Sequence, residues 1–353
     1  MKTVARAPLL AWLLVLVVAG GTLASPSAAP LIHAVQAQAT TAYRGEEILA
    51  TWHGDGTQVT LGRVEHDPPG WTWLDYTPVG SSRRLVVLRH GAQEIQYDPA
   101  TRTGTRSIRL DSDDDAFATS HLPWLLANYH VTATPGELLG RRTDRILLSP
   151  LIEDRPARRL DVDQQTGVIL RSERLGPNGR LTQVTAFVTF EVMPQGWRAD
   201  ARLPRDLRLV DQPRAQRVTP QEAVRRLGGL PVEVAAPPGF HRVASYLTQG
   251  RDSALQTVYS DGLSVLVLSA QRGTLARPPA GSRVVQREGG PLWVREVGGH
   301  TLVHWAYSGW LLTMVGDVSA DGLLQSAERT GVARAPRLVD HLQAWLRSLG
   351  VPF

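Results

Sequence analysis

The chain has 353 residues, no cysteine and a formal net charge of +5, with 42% hydrophobic and 20% charged residues. The missing cysteine excludes a disulfide framework, a thiolate metal site and a lipidated N-terminus, so stability must come from cores, and the length allows two. Without Lys2 and Arg6 the balance is 36 basic against 33 acidic side chains, a net +3; the arginines interleave with acids along the chain, which excludes a nucleic-acid footprint.

Residues 1–24 open with Lys2 and Arg6, continue through the apolar run Leu9–Val18, and reach small residues at Thr22-Leu23-Ala24. That is the order of a secretory signal peptide cut near Ser25. The competing reading is an uncleaved anchor, which Gly20 and Gly21 disfavour. No later segment is long and apolar enough to span a membrane.

From about Ala42 to Val192 the pattern is one of successive short strands. Glu47–Trp52, Val59–Glu65, Trp71–Tyr76, Arg84–Arg89 and Glu94–Tyr97 are rich in β-branched and aromatic residues, with Gly, Pro and Asp between them. A helical interruption is expected over Ala116–Leu126, capped by Asp115, with a break or two short helices at Pro123. The stretch from Arg159 to Val192 is the most regular. Leu160 and Val162 alternate with Asp161 and Asp163, Gln165-Thr166-Gly167 turns the chain, and Pro177-Asn178-Gly179 turns it again. The third strand is expected to carry Ala186, Val188, Phe190 and Val192 on one face and Phe187, Thr189 and Glu191 on the other. This is an antiparallel meander with one wet face, not the parallel sheet of a nucleotide-binding fold.

Residues 199–218 are polar, arginine-rich and interrupted by Pro204 and Pro213, as an interdomain connection would be. Thr219-Pro220-Gln221-Glu222 then starts a helix, Gln221–Leu227, with a capping box that Gly228-Gly229 closes. Strands follow at Gln256–Ser260, Leu263–Ser269, Leu292–Val297, Thr301–Tyr307 and Trp310–Val315. Ser319 caps a helix to about Arg329, and Arg337–Leu349 carries Leu338, Leu342, Trp345 and Leu349 on one stripe.

Little of this carries chemistry. Asp111, Asp113 and Asp115 start like a calcium loop, but Ala116 and Leu122 stand where glycine and glutamate are required. His300 and His304 share a strand face, but a zinc site would need further ligands and no cysteine exists to supply them, so no metal site is expected. Nucleophile elbow, metalloprotease helix, P-loop and dinucleotide fingerprint are all missing, and no catalytic residue or cofactor is assigned. The aromatics Trp52, Trp71, Trp73, Tyr76, Trp124 and Tyr129 are either ordinary core or the lining of an apolar cavity on the concave side of a curved sheet.

The run Val162-Asp-Gln-Gln-Thr-Gly-Val-Ile-Leu-Arg-Ser-Glu173, followed by Gly179-Arg180-Leu181 and Phe187-Val-Thr-Phe190, resembles the N-terminal domain of the MucB/RseB proteins. Tyr97-Asp98-Pro99 and Asn128-Tyr129-His130 fall where that family has similar turns and strands. Pro238-Gly239-Phe240 and Val258-Tyr-Ser-Asp-Gly-Leu-Ser-Val265 resemble its smaller C-terminal domain. The resemblance implies a mainly β (α+β) architecture: an open antiparallel half-barrel of LolA/RseB type over 40–198 with a helical insertion, a linker at 199–218, and a smaller αβ domain over 219–353. It implies an exported, non-catalytic periplasmic regulator, peripheral to the membrane at most, that binds the extracytoplasmic part of an anti-sigma factor. It also implies a lipid or lipoprotein amphiphile held in the half-barrel, for which Trp71, Trp73 and Trp124 are the candidate contacts. Residues 199–218 and Gln271–Val297 depart from the family pattern and are the expected places for partner contacts. The alternative function is a periplasmic lipid or lipoprotein carrier, with a secreted hydrolase third. A carrier needs only the half-barrel, so the second, freshly capped unit favours the regulator.

Overall fold

The computed structural model describes residues 28–330, apart from 54–55, 69–70, 109–118, 153–154, 177–178, 200–202, 213–214, 229–235, 249–252, 274, 276, 288–289 and 298–299. The signal peptide, the acidic run Asp111–Asp115 and the amphipathic stretch Arg337–Leu349 lie outside the described residues.

The fold is mainly β, in two sheets. The first has twelve strands: β1 (Tyr43–His53), β2 (Gly56–Asp67), β3 (Trp71–Pro78), β4 (Leu85–His90), β5 (Gln93–Asp98), β6 (Thr103–Ile108), β7 (Tyr129–Leu138), β8 (Arg141–Pro150), β9 (Ala157–Asp163), β10 (Ile169–Leu175), β11 (Leu181–Val192) and β12 (Arg208–Asp211). Their order is β12-β6-β5-β4-β3-β2-β1-β11-β10-β9-β8-β7. Two antiparallel meanders, β1–β6 and β7–β11, are zipped together where β1 pairs with β11, and the ends do not meet, so the sheet stays open. Only β12 pairs in parallel, with β6, among the described strands. To reach that edge the chain travels from β11 past β1–β6. Ala199 N–H donates to Asp67 on the way, and Arg102 pairs with Asp206.

One face of this sheet is covered by a helix that the strand pattern did not announce, α1 (Ala29–Thr40), which lies N-terminal to the expected boundary at residue 40. Pro30 sits in its first turn, where a missing N–H costs nothing. Leu31, Ala34 and Val35 recur at helical spacing and are buried against Ile146, Leu148, Leu160 and Val162. Ala37 continues the stripe into a neighbouring core with Val64, Leu74, Val87, Leu170 and Phe187. A single 3₁₀ turn at Thr119–His121 leads into α2 (Leu122–Asn128). The described part of the interruption is thus two short helices, with Pro123 in the first turn of the second.

Two strand expectations need correction. Phe187 and Phe190 do not face opposite sides: both pack on Tyr43, because β11 takes two residues where β1 takes one between Glu46 and Glu47. Val188 is the extra residue of this bulge and is half exposed, and the side-chain phase flips after it. The second face of β9 is also not open to water. Asp161 and Asp163 are as buried as Leu160, because Arg145 and Arg141 lie over them, at 2.8 Å and 2.9 Å. Arg141 grips Asp163 with two donors. Those bonds, with Thr166, outweigh burial and hold the Asp163 carboxyl below its ordinary pKa.

The second sheet has eight antiparallel strands: β13 (Ala215–Arg217), β14 (His241–Thr248), β15 (Ala254–Ser260), β16 (Val265–Arg272), β17 (Arg283–Arg287), β18 (Gly290–Val297), β19 (His300–Tyr307) and β20 (Trp310–Gly316). They run β13-β14-β15-β16-β20-β19-β18-β17. The segment read as a bare connection thus gives one strand to each sheet, β12 and β13. Two helices cover one face, α3 (Pro220–Leu227) and α4 (Ala320–Thr330). Thr219 Oγ1 accepts from Glu222 N at 3.2 Å, and Gly228 closes α3 in the left-handed conformation; Ser319 Oγ accepts from Gly322 N at 3.1 Å. Beneath the helices Leu266, Leu292, Trp305, Trp310, Leu312 and Leu323 form the largest apolar core.

The β9–β10 turn fixes how closely α1 lies on the sheet. Gly167 has φ +75°, and a methyl group on it would come within 2.7 Å of His33 O and 2.9 Å of Ala37 Cβ. Gly167→Ala should therefore lift α1 and destabilise the first sheet by roughly 1–3 kcal/mol. Hydrogen exchange should show protection lost in α1 before it is lost in β19 or β20, and unchanged α1 protection would contradict this packing.

Candidate functional site

Three of the segments that carry the family resemblance meet in space, at the junction of the two sheets. The β15–β16 turn, Ser260-Asp-Gly-Leu-Ser264, leaves the second sheet and enters the first. Leu263, 2% exposed, is part of the same core as Leu31, Leu125, Tyr129 and Ile146. Gly262 has φ +99°, and its Cα approaches α2 so closely that a Cβ would stand 2.1 Å from Leu125 N. Only glycine satisfies both conditions.

Asp261 is the polar centre of this contact, with its side chain wholly buried. One carboxylate oxygen accepts from the backbone N–H groups of Leu263 (3.0 Å) and Ser264 (2.7 Å), which shape the turn. The other accepts from Tyr129 Oη (2.9 Å) and Arg155 Nη1 (2.8 Å), both from the first sheet's side. Burial pushes the Asp261 carboxyl above its ordinary pKa, against the pull of these donors towards the charged form. Burial and the adjacent carboxylate likewise raise the Tyr129 phenol, so it stays protonated and donates.

Arg155 is itself buried and reaches further. It donates to Pro238 O, and its guanidinium lies over the Phe240 ring, 5.0 Å from the centroid. Asn128, at the end of α2, has its amide nitrogen 2.8 Å from Trp124 O, 3.1 Å from Gly239 O and 3.0 Å from Asp261 O, so its two hydrogens are shared among three carbonyls. Gly239 has φ +77°, and a Cβ there would strike Asn128 Oδ1 at 2.1 Å. The Pro238-Gly239-Phe240 segment thus holds both Arg155 and Asn128.

Two further contacts cross the junction. Trp124 stacks on His121 (5.1 Å) and on His241 of β14 (4.9 Å), with interplanar angles of 20° and 16°. Arg174 of β10 pairs with buried Asp317, which also lies 2.7 Å from His300 Nδ1. Burial opposes ionisation of Asp317, but the His300 bond and the Arg174 charge outweigh it and hold the carboxyl below its ordinary pKa. His304 bonds instead to Thr313 Oγ1 at 2.9 Å, and no metal-binding group of three ligands occurs among the described residues.

The sequence-derived ligand contacts do not come together. Trp71 and Trp73 share one face of β3, but Thr72 and Leu74 point to the α1 side, so the two tryptophans project from the opposite face. Trp71 stacks on His90 there, with ring centroids 4.4 Å apart. Trp124 is part of the junction, away from both. The residues that build the junction, Asn128, Arg155, Asp261 and Leu263, were not singled out as site residues. The available signal was Ser-Asp-Gly-Leu-Ser, a loop with an acid placed to bind its own backbone and a glycine free to take positive φ. Nothing in the sequence marked Arg155 as its partner.

The junction has a measurable consequence. Asp261→Asn or Arg155→Met leaves the other member buried without its ionic partner, which should cost about 3–5 kcal/mol in each case. Arg155→Met combined with Asp261→Leu should cost clearly less than the two single changes added together. Full additivity in a double-mutant cycle would mean that the pair does not hold the sheets.

No protein-family model matches the sequence, and no curated protein matches it. Similar solved structures exist. A crystal structure of MucB in complex with MucA(peri) superposes with a TM-score of 0.55 at 15% sequence identity, covering 87% of this chain and 97% of that one. The Pseudomonas aeruginosa MucA/MucB complex gives 0.55 at 16% identity, with the same coverage of 87% and 97%. MucB alone gives 0.51 at 17%, again over 87% and 97%. The chain is similar in fold to MucB across both sheets and nearly the full length of that protein.

Proposed function

We infer that this protein is an exported, non-catalytic regulator that binds the extracytoplasmic segment of an anti-sigma factor. The observation that supports this most is the likeness in fold over both sheets to MucB, a protein solved with MucA. The motifs of the MucB/RseB resemblance point the same way, since they converge on the contact that sets the two sheets relative to each other. A protein segment is a suitable ligand for this architecture. The sheets end in β7, β12, β13 and β17, and an extended peptide can add main-chain hydrogen bonds along such an edge. The signal-peptide pattern of residues 1–24 supports an activity outside the cytoplasm. Domain limits at 40–198 and 219–353 belong to this proposal, with α1 added to the first unit.

The test is capture, by the full chain, of the extracytoplasmic tail of a single-span anti-sigma protein encoded beside this gene. Saturable binding is the expected result; a tail that is not retained, presented to folded protein, overturns the regulator reading.

An amphiphile is the second ligand we propose, with Trp71 and Trp73, which share one face of β3, as its contacts; Trp124 lies apart from them at the junction. Each methylene removed from water gains about 0.8 kcal/mol, so roughly a dozen can yield micromolar binding after ordering costs. Long-chain amphiphiles should shift tryptophan emission and short ones should not. If the shift survives Trp71→Leu with Trp73→Leu, those residues do not hold the ligand.

A further inference from the structure

We propose that the free edge of β17 binds an extended peptide segment in which acidic and apolar residues alternate.

The first observation is where the charge lies. Residues 271–297 contain five arginines and two glutamates, a net +3. The chain after Ala24 has 36 basic and 33 acidic side chains, so this one segment carries the whole excess. Tertiary contacts then sort the five. Arg272 lies over Trp310 and donates to Leu227 O and Gly228 O, and Arg287 pairs with Glu328. Arg277, Arg283 and Arg295 are exposed and form no ion pair with an acid among the described residues. Three uncompensated arginines on one margin attract carboxylates and raise their association rate.

The second observation is the backbone. β17 is the last strand of its sheet, paired with β18 on one side and, among the described strands, with nothing on the other. Its outward N–H and C=O groups are available for an added strand. Register then specifies the side chains of that strand. Arg283 pairs with Val294 and Val285 with Leu292, so Arg283, Val285 and Arg287 lie on the helix-covered face. Val284 pairs with Trp293 on the other face and is 46% exposed despite being apolar. A strand alongside β17 would therefore meet Arg283 on the helix-covered face and the exposed Val284 on the other, which an acidic residue beside an apolar one satisfies, while Arg295, one strand further in on the Trp293 face, adds only longer-range attraction. An anionic membrane surface would use the charge but not the edge or Val284, so the extended peptide is the better fit.

The inference rests on the proposed function only in taking a protein segment as ligand, and its test does not need the anti-sigma factor. The probe is a fluorescein-labelled decapeptide alternating glutamate and valine, with a lysine–valine counterpart as control, added to the full chain. Binding of the glutamate peptide alone is expected, weakening at high salt. Arg283→Gln should weaken it about threefold, and Arg283→Glu should weaken it roughly tenfold. Both changes are at an exposed position, so the melting profile should stay unchanged. The bound peptide should also protect β17 amides from hydrogen exchange. Undiminished affinity in the charge-reversed chain overturns the proposal. So does greater self-association with unchanged peptide binding, which would mean that the arginines only guard the edge. Arginine-dependent binding to anionic phosphatidylglycerol vesicles, without amide protection by the peptide, would replace the peptide with a membrane. If the charge-reversed chain still captures the anti-sigma tail, the regulator reading stands and β17 is not its site.

Discussion

The relation between the two sheets depends on a carboxylate with no access to water. Asp261 is held by two backbone N–H groups of its own turn and by Tyr129 and Arg155 across the junction. Burying such a charge is unfavourable unless every lone pair has a donor, and here the donors come from both units. The net energy of the pair is modest, but its geometry is exacting: a small displacement of one sheet would leave a buried acid and a buried guanidinium unpaired. Leu263 supplies the apolar burial beside it. Gly262 and Gly239 allow the backbones to approach closely enough for both effects.

This constraint bears on function because it makes one surface out of two sheets. Fixed at the Asp261 turn, at the His121–Trp124–His241 stack and at the Arg174–Asp317–His300 cluster, the sheets present their edges in a set relation. A ligand that touched both would gain from that order, since no ordering of the protein would be charged against binding. On the first sheet several arginines are held by buried acids, Arg141 by Asp163, Arg145 by Asp161 and Arg159 by Glu173.

Much of the local structure was legible in the sequence. β-Branched and aromatic runs separated by glycine, proline and aspartate located most strands, because alternation and turn chemistry are local properties. The caps at Thr219 and Ser319 were legible for the same reason. What failed were inferences that needed a partner. The bulge at Val188 reversed the faces of β11, since phase is set by pairing with β1. β12 and β13 look like linker because strands of four and three residues gain their stability from β6 and β14. Helix α1 was hidden because an alanine-rich stretch has little to announce it until a sheet gives its stripe something to cover. The site suffered most: Trp71, Trp73 and Trp124 look alike as residues, and only the fold assigns two of them to a sheet face and the third to a stack.

By itself the sequence determined a cysteine-free, mainly β chain with turns that resemble those of the MucB/RseB proteins, and from it we expect an export signal and two successive units. Those properties follow from composition, short-range periodicity and backbone propensity, which act within a few residues. Only the tertiary structure decided which face of each strand meets α1, how Asp261 of one unit finds Arg155 of the other, and where unpaired arginines remain. The separation between those residues is more than a hundred positions. Burial and pairing across such distances depend on the closed set of contacts around each group, and no local pattern encodes that set.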